Sequence, residues 1–173
     1  MTDSNSSADR SLFTLAQIQH LMRVEFNRAA RYDYPIVCLL IAVDRLGHLR
    51  DLYGFDAKEE IVEGLVGLLK SGTRSSDFLG RMADDRLLAV VPHTTPAGAD
   101  ILAGRLLEGA RDLAFAAEGR TVQVTLSIGA SHNGGGTTLF FDAMLASAEE
   151  AMNEAASQGG DRYKVFDPGP AGE

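Results

Sequence analysis

The sequence predicts an α/β protein in which helices pack against a mostly antiparallel sheet. A continuous apolar run at 36–43 is typical of a buried strand. Residues 77–92 have the pattern of a hairpin around a charged turn. Segments with apolar residues at helical spacing separate these strands. The predicted order is helix, strand, helix, hairpin, helix, strand, helix, strand, and 173 residues suit a single domain.

The first half of the chain is predicted to hold two helices and the buried strand. Residues 12–31 repeat apolar side chains at helical spacing, and the strand follows at 36–43. Beyond a polar stretch, Asp56 with Glu59 three residues on resembles a capping box. This box would open a second helix, which Gly72 would close.

The second half is predicted to add the hairpin, two helices and two strands. Thr95 followed by Pro96 marks a helix start, because proline is favoured at the first helical position. β-Branched residues alternate through 121–131, which predicts one strand. An Ala-rich helix is predicted over 139–160, where glycines close it, and residues 161–166 indicate a last short strand.

Composition limits the setting and the partners. Residues 1–11 and 167–173 are predicted to be tails around one domain at 12–166. The net charge of −8 disfavours binding to nucleic acid or to an anionic membrane, and the longest apolar run is too short to cross a bilayer. Cys38 is the only cysteine, so no intramolecular disulfide can form, which favours a reducing cytoplasm. Because Cys38 lies in mid-strand, we interpret it as a core residue.

Some local patterns suggest sites but have simpler explanations. The four histidines lack the spacing of a zinc site. The glycines within 132–138 could suggest a phosphate cradle, but no P-loop lysine accompanies them, which favours a plain loop. Asp84 and Asp85 at the hairpin tip could hold a metal ion, although a polar turn is the simpler interpretation beside Arg86. We predict no bound metal and no other cofactor.

Several stretches together resemble one family, the GGDEF domain of diguanylate cyclases. The segment "RAARYDYPIVCLLIAVD" resembles its helix end and first strand, and "VTLSIGAS" matches its "VTxSIGxA". The remaining matches are "DLYGFDAKEEIVEGLVGLL" with "NDxYGHxxGDxxLxxxAxxL", "TRSSDFLGRMADDRLLAVVP" with "xRxxDxxxRxGGDEFxxxLP", and "SAEEAMNEAASQGGDRYKVF" with "RADxALYxAKxxGRNxVxxY". The resemblance covers residues 15–166 and implies a cyclase-like palm, with a mostly antiparallel central sheet surrounded by helices.

The resemblance also implies that the reaction chemistry has been lost. The family joins two GTP molecules into cyclic di-GMP with two divalent metals, which requires carboxylates for the metals and cations for the phosphates. The first metal carboxylate would stand at Ala42, and Asp44 lies two residues further along. The signature GGDEF reads here as Ala83, Asp84, Asp85, Arg86 and Leu87, so that one metal carboxylate remains as Asp85 while the essential glutamate is an arginine.

Other expected substrate contacts differ as well. The resemblance puts the phosphate-neutralising lysine at Gly47, the guanine-reading asparagine at Arg50, its aspartate partner at Glu59, and the late lysine and arginine at Ala156 and Gly160. We therefore expect an inactive homologue that does not make cyclic di-GMP.

A second site of the family is retained in the sequence. The resemblance places its inhibitory RxxD motif at Arg74 to Asp77 and the second arginine of that site at Arg105. Arginine can donate paired hydrogen bonds to guanine or phosphate, and aspartate can accept from guanine. The alternative is that Arg74 and Asp77 form a solvated ion pair and that Arg105 is an ordinary surface residue. Arg81 to Asp84 also fits RxxD by chance.

Three functions remain open at this point. The leading hypothesis is a noncatalytic cyclic di-GMP receptor in bacterial second-messenger signalling, with a signalling protein as partner and, by resemblance, a ligand-bridged homodimer. The second is a protein-interaction module that no longer binds nucleotide. The third is a residual enzyme acting on GTP with one metal, held by Asp44, Glu59 and Asp85.

Overall fold

The computed structural model of the protein describes residues 12–134 and 140–167. Its elements in chain order are α1 (Leu15–Tyr32), β1 (Ile36–Val43), α2 (Leu46–Tyr53), α3 (Phe55–Gly72), β2 (Phe78–Arg81), β3 (Leu87–Pro92), α4 (Pro96–Asp112), β4 (Phe115–Ala117), β5 (Arg120–Val122), β6 (Leu126–His132), α5 (Phe141–Ser157) and β7 (Arg162–Val165). The predicted tail at 1–11 lies outside the described residues, as do all but residue 167 of the predicted tail at 167–173 and residues 135–139 of the predicted loop and helix start.

The central sheet has the strand order β2-β3-β1-β6-β7 in the described part of the chain. Strand β1 pairs antiparallel with β3 on one side and with β6 on the other, and β7 runs parallel to β6. The prediction of a mostly antiparallel sheet is confirmed. The central position of β1 explains its unbroken apolar sequence, because neither face of this strand meets water.

Helices cover both faces of the sheet. Val37 and Leu39 of β1 belong to the core formed with α3 and α4, whereas Cys38 and Leu40 belong to the core formed with α1 and α5. Side chains of a strand alternate between its faces, so this one strand anchors both layers. Burial raises the pKa of the Cys38 thiol to about 12, which agrees with its interpretation as a core residue. Within the described ranges, no helix is long and apolar enough to cross a membrane.

Helix starts were predicted with mixed success. Thr95 caps α4 by accepting a hydrogen bond from the Gly98 amide at 3.3 Å, with Pro96 at the first helical position as predicted. The capping box at Asp56 and Glu59 is wrong, because α3 begins at Phe55 and has no side-chain cap.

The sequence did not predict α2 or β4, and it predicted one strand where the structure has two. The polar stretch before α3 contains α2, which is too short for its period to stand out. The single strand predicted for 121–131 is instead β5 and β6. Strand β5 pairs with β4 in a small separate hairpin, whereas β6 enters the central sheet. The chain changes sheets between them, and alternation of residue types alone cannot reveal such a change.

Helix α5 approaches strand β6 at Gly129. A Cβ atom at this residue would lie 2.2 Å from the Ala148 carbonyl oxygen and 2.2 Å from the Met152 amide nitrogen. Both neighbours are backbone atoms within a helix, so they cannot move aside locally. Glycine at this position therefore sets how closely α5 packs on the sheet.

Substituting Gly129 by alanine should destabilise the fold. The added methyl group has to push α5 away from β6, so we expect Gly129→Ala to lower the free energy of unfolding by about 2–3 kcal/mol in urea titrations. The control is Gly67→Ala, because Gly67 is an exposed residue of α3 where an added methyl group would meet nothing within 4 Å. That change should stabilise the protein slightly. Equal stability of the parent and Gly129→Ala would contradict this account of the packing.

Candidate functional site

Residues 82–86 form the turn that joins β2 to β3. The Met82 amide donates to the Arg86 carbonyl at 2.8 Å, and the Asp85 amide donates to the Met82 carbonyl at 2.9 Å. Asp85 has a φ of 71°, in the left-handed region that aspartate tolerates better than most residues. The turn directs the Asp85 side chain toward α3, where it meets a cationic partner.

Two cations hold the carboxylate of Asp85. Lys58 Nζ on α3 lies 2.8 Å from Asp85 Oδ2, and Arg81 Nη2 on β2 lies 2.6 Å from Asp85 Oδ1. Both cations also bind Glu59 Oε2, Lys58 at 2.5 Å and Arg81 at 2.9 Å. The result is a closed network of two carboxylates and two cations, which we call the turn network.

The turn network keeps its members charged. Burial alone would raise the pKa of Asp85, but hydrogen bonds from Lys58 and Arg81 outweigh it and hold that pKa below its usual range. The hydrogen bond from Lys58, assisted by Arg81, also lowers the pKa of Glu59. Hydrogen bonds to Asp85 and then Glu59 raise the pKa of Lys58. The Asp85 carboxylate is therefore ionised, and each of its two oxygens accepts a hydrogen bond from a cationic side chain.

Arg86 turns away from this network. Its Nη1 donates to Glu149 Oε2 on α5 at 2.6 Å, and its Nε forms an ion pair with Asp84 Oδ2 at 2.8 Å. Arg86 stands where the resemblance implies the essential glutamate, and its pairing with Glu149 could not be predicted from the sequence. Among the residues that the structure describes, no group of three or more histidine, cysteine or acidic side chains is placed to hold a metal ion.

Asp44 binds structural groups at the end of β1. Its carboxylate accepts hydrogen bonds from Thr125 Oγ1 and Ser127 Oγ, both at 2.6 Å, and from the Asp161 amide at 2.9 Å. Gly160 leaves room for this arrangement, since its φ is 73° and a Cβ there would lie 2.5 Å from Asp44 Oδ2. Asp44 thus fastens the segment before β7 to the end of β1.

The remaining positions implied by the resemblance are not members of the turn network. Ala42 is half-buried on β1 and packs against the α1 and α5 core, and Leu87 is buried at the start of β3. Arg50 on α2 is exposed, with Asp51 Oδ1 3.4 Å from its Nη2. Gly47, Ala83, Asp84 and Ala156 are also exposed.

A cavity of about 970 Å³ lies beside the turn. Its charged lining consists of the acids Glu63, Asp84 and Asp85 and the bases Lys70, Arg81 and Arg86. Arg81 and Arg86 already pair with carboxylates in this structure. Acids and bases are equal in number in this lining, so the cavity has no excess of positive charge with which to bind a triphosphate.

The three residues of the predicted second site do come together. Arg74, Asp77 and Arg105 line one surface pocket of about 390 Å³, between the end of α3, the end of β3 and the start of α4. This volume falls in the range of about 300–1,000 Å³ that is common for small-molecule sites. The exposed Ile101 adds apolar surface, and His93 and Thr94 complete the wall that follows β3. We call this cavity the Arg74 pocket.

Asp77 supports the backbone of this pocket. Its side chain is only 3% exposed, and its Oδ2 accepts from the Arg74 amide at 2.8 Å. The Asp77 amide donates in turn to the Arg74 carbonyl at 3.0 Å. These two bonds close residues 74–77 into a turn, so the buried carboxylate shapes the loop that carries Arg74.

Arg74 is oriented by neutral acceptors. Its Nη2 donates to the Pro92 carbonyl at 3.0 Å and to Thr94 Oγ1 at 2.7 Å, while Asp77 Oδ2 lies 3.8 Å from its Nε. The Arg74 side chain is nevertheless 57% exposed. The guanidinium is therefore held through its Nη2 and still largely open to solvent.

Comparison with known proteins decides the family. The family model described as "Diguanylate cyclase, GGDEF domain" matches residues 11–162. The chain belongs to the GGDEF family. The turn network of this GGDEF domain lies at the turn between β2 and β3, and the Arg74 pocket lies on a separate surface formed by α3, β3 and α4.

Relatives of this GGDEF domain support that assignment. Diguanylate cyclase A of Treponema denticola is 24% identical over 158 residues, which is 88% of this chain and 40% of that protein. The chain spans well under two thirds of the curated relatives it matches. The GGDEF domain of TpbB from Pseudomonas aeruginosa has a TM-score of 0.84 at 21% identity, covering 91% of this chain and 92% of that one. The GGDEF domain of DgcB from Caulobacter crescentus, in complex with c-di-GMP, has a TM-score of 0.83 at 11% identity. This match covers 90% of this chain and 89% of that one.

Acid should weaken the fold through the turn network. The pKa values of Asp85 and Glu59 in the folded protein lie below their unfolded values of roughly 3.9 and 4.3, so their stabilisation is complete above about pH 5 and declines as the pH falls through the folded pKa values. We expect Asp85→Asn to be less stable than the parent at pH 7, with the difference narrowing at pH 3, in urea unfolding followed by circular dichroism.

The matched control is Asp56→Asn. It removes an exposed acid from α3, the helix that carries Lys58 and Glu59, and Asp56 is not a member of the turn network. This variant should follow the pH profile of the parent. A constant difference between Asp85→Asn and the parent from pH 7 to pH 3 would contradict the ionised pairing described for Asp85.

Proposed function

We propose that this GGDEF domain is a noncatalytic receptor that binds cyclic di-GMP in the Arg74 pocket. The observation that supports this most is a contrast between two arginines. The Arg81 side chain is 26% exposed and paired with the carboxylates of the turn network, whereas the Arg74 side chain is 57% exposed in a pocket that Arg105 also lines. We therefore expect an anion to bind in the Arg74 pocket and not at the turn 82–86, where the resemblance places the family signature.

The chemistry of the Arg74 pocket suits a cyclic dinucleotide. Such a ligand carries two phosphate charges and guanine edges rich in acceptors. Arg74 and Arg105 bring two positive charges against the one negative charge of Asp77, in a chain whose net charge is −8. A guanidinium can bind either phosphate or the O6 and N7 atoms of guanine through paired hydrogen bonds. We assign both arginines to ligand contact and Asp77 to positioning Arg74, because the Asp77 side chain is buried.

The turn network supports the absence of cyclase activity. Metal-assisted phosphoryl transfer needs carboxylate oxygens that are free to bind Mg²⁺. Asp85 gives its oxygens to Lys58 and Arg81, and Asp44 gives its oxygens to Thr125, Ser127 and the Asp161 amide. A one-metal residual enzyme would have to break one of these sets of bonds, so we place it behind the receptor hypothesis.

A shared fold with a ligand-bound relative adds support. The DgcB domain that is described in complex with c-di-GMP has the same fold as this chain. Second-messenger signalling is therefore the setting we propose for this receptor. A signalling protein that responds to the bound state, a ligand-bridged homodimer and a cytoplasmic location stay predictions of this proposal.

Calorimetry with cyclic di-GMP tests the receptor. We expect the parent to bind, Arg74→Ala to lose at least about 30-fold in affinity, and Arg105→Ala to lose roughly tenfold, since a charge-assisted hydrogen bond contributes about 1.5–3 kcal/mol. The control is Arg120→Ala, which removes an exposed arginine of β5 outside the Arg74 pocket. Arg120→Ala should bind as the parent does. Absence of binding by the parent, or unchanged binding by Arg74→Ala, would refute the proposal.

Incubation with GTP and Mg²⁺ or Mn²⁺ tests the loss of catalysis. We expect no cyclic di-GMP and no other GTP-derived product by liquid chromatography, because the carboxylates of Asp85 and Asp44 are bonded within the protein. A product made by the parent and missing with Asp85→Ala would contradict the proposal and favour a residual enzyme.

A partner-retention experiment separates the receptor from a nucleotide-independent interaction module. A protein that co-purifies with the parent should be retained differently by Arg74→Ala if ligand binding controls the interaction. Equal retention by the parent, Arg74→Ala and Arg105→Ala would favour the module.

A further inference from the structure

A stacked pair of rings stands at the edge of the Arg74 pocket. The His93 and Tyr34 rings lie with their centroids 3.9 Å apart and their planes inclined by 24°. His93 is exposed and lines the pocket with Arg74 and Arg105, whereas Tyr34 is half-buried behind it. Tyr34 covers one face of the imidazole, so the exposure of His93 comes from the rest of the ring.

The backbone holds His93 in this place. His93 has a φ of 57°, in the left-handed region, which histidine tolerates better than most residues other than glycine. Its amide donates to the Pro35 carbonyl at 2.7 Å, which joins the end of β3 to the start of β1. The imidazole is thereby fixed against Tyr34 at the end of the strand that leads into the pocket.

Tyr34 is anchored in turn. Its hydroxyl donates to the carboxylate of Glu25, a buried residue of α1. Burial and this hydrogen bond raise the pKa of Tyr34 to about 12, so the hydroxyl remains a donor at neutral pH. The Tyr34 amide also donates to the Ala29 carbonyl at 3.2 Å. The His93 ring therefore rests on a support that is fastened to α1.

We propose that His93 is a further binding residue, on which a purine base of the ligand stacks. This inference rests on the proposed function, because it concerns a ligand of the Arg74 pocket. Arg74 and Arg105 supply charge and hydrogen bonds, and these groups alone would bind many anions. A planar ring in the same pocket adds preference for a ligand with a flat heterocycle.

The energetics of stacking favour a supported ring. A base stacked on an aromatic side chain strengthens binding by roughly 5- to 150-fold, as measured by alanine substitution. An exposed ring that moves freely would lose rotational freedom when a base stacks on it. His93 is already stacked on Tyr34, so its ring loses most of its rotational freedom when the protein folds and little more when a base binds.

Two substitutions and one spectrum test this assignment. Calorimetry with cyclic di-GMP should show about tenfold weaker binding by His93→Ala and binding within about threefold of the parent by His93→Phe, which retains an aromatic face. His48→Ala, which removes an exposed histidine of α2 outside the pocket, should bind as the parent does. In proton NMR of the parent, the ring protons of His93 should move upfield on addition of cyclic di-GMP, as expected for a ring under a stacked purine.

The outcomes separate this inference from the proposed function. Binding that depends on Arg74 but is unchanged in His93→Ala, with His93 ring signals that do not move, would overturn the stacking role and leave the receptor intact. Absence of cyclic di-GMP binding by the parent would overturn both. Weaker binding by His93→Ala together with His93→Phe would contradict an aromatic platform and indicate a hydrogen-bonding role for the imidazole.

Discussion

A carboxylate that is partly removed from water needs a cation beside it, and Asp85 meets this need within the chain. In a metal-dependent phosphoryl-transfer site, a divalent ion would supply the positive charge. Here Lys58 and Arg81 supply it from neighbouring elements, and the same two groups neutralise Glu59. These ion pairs join the turn between β2 and β3 to the first part of α3 and to the end of β2.

In the Arg74 pocket the arginine is hydrogen-bonded to neutral groups, whereas the cations of the turn network are bonded to carboxylates. Arg74 is held by a carbonyl and a hydroxyl, which orient the guanidinium without cancelling its charge. The carboxylate of Asp77, which also lines this pocket, shapes the backbone turn. The receptor proposal rests on this contrast: a GGDEF fold with a neutralised turn at 82–86 and an exposed cationic pocket would bind an anionic nucleotide without converting it.

Much of the fold could be predicted from local sequence, whereas the contacts of the site could not. The apolar run of β1 and the Thr95–Pro96 start of α4 depend on neighbouring residues, so their patterns are visible in the sequence. Lys58 and Asp85 are 27 residues apart, and Arg86 and Glu149 are 63 residues apart, so these pairs exist only after the sheet has brought their elements together. One signal was available: Lys58 stands where the quoted family pattern has glycine, and a charge there needs a partner. The stacking of His93 on Tyr34 likewise requires the meeting of β3 with the segment before β1.

The central claim is that nucleotide binds at the Arg74 pocket and not at the signature turn. Amide chemical shifts measured on one uniformly labelled sample, with cyclic di-GMP and then with GTP and Mg²⁺, locate both events directly. The account predicts that cyclic di-GMP perturbs residues 72–77, 93–98 and 101–105, and that GTP with Mg²⁺ leaves residues 82–86 unperturbed. Perturbation of 82–86 by GTP with Mg²⁺, or no perturbation around Arg74 by cyclic di-GMP, would contradict it.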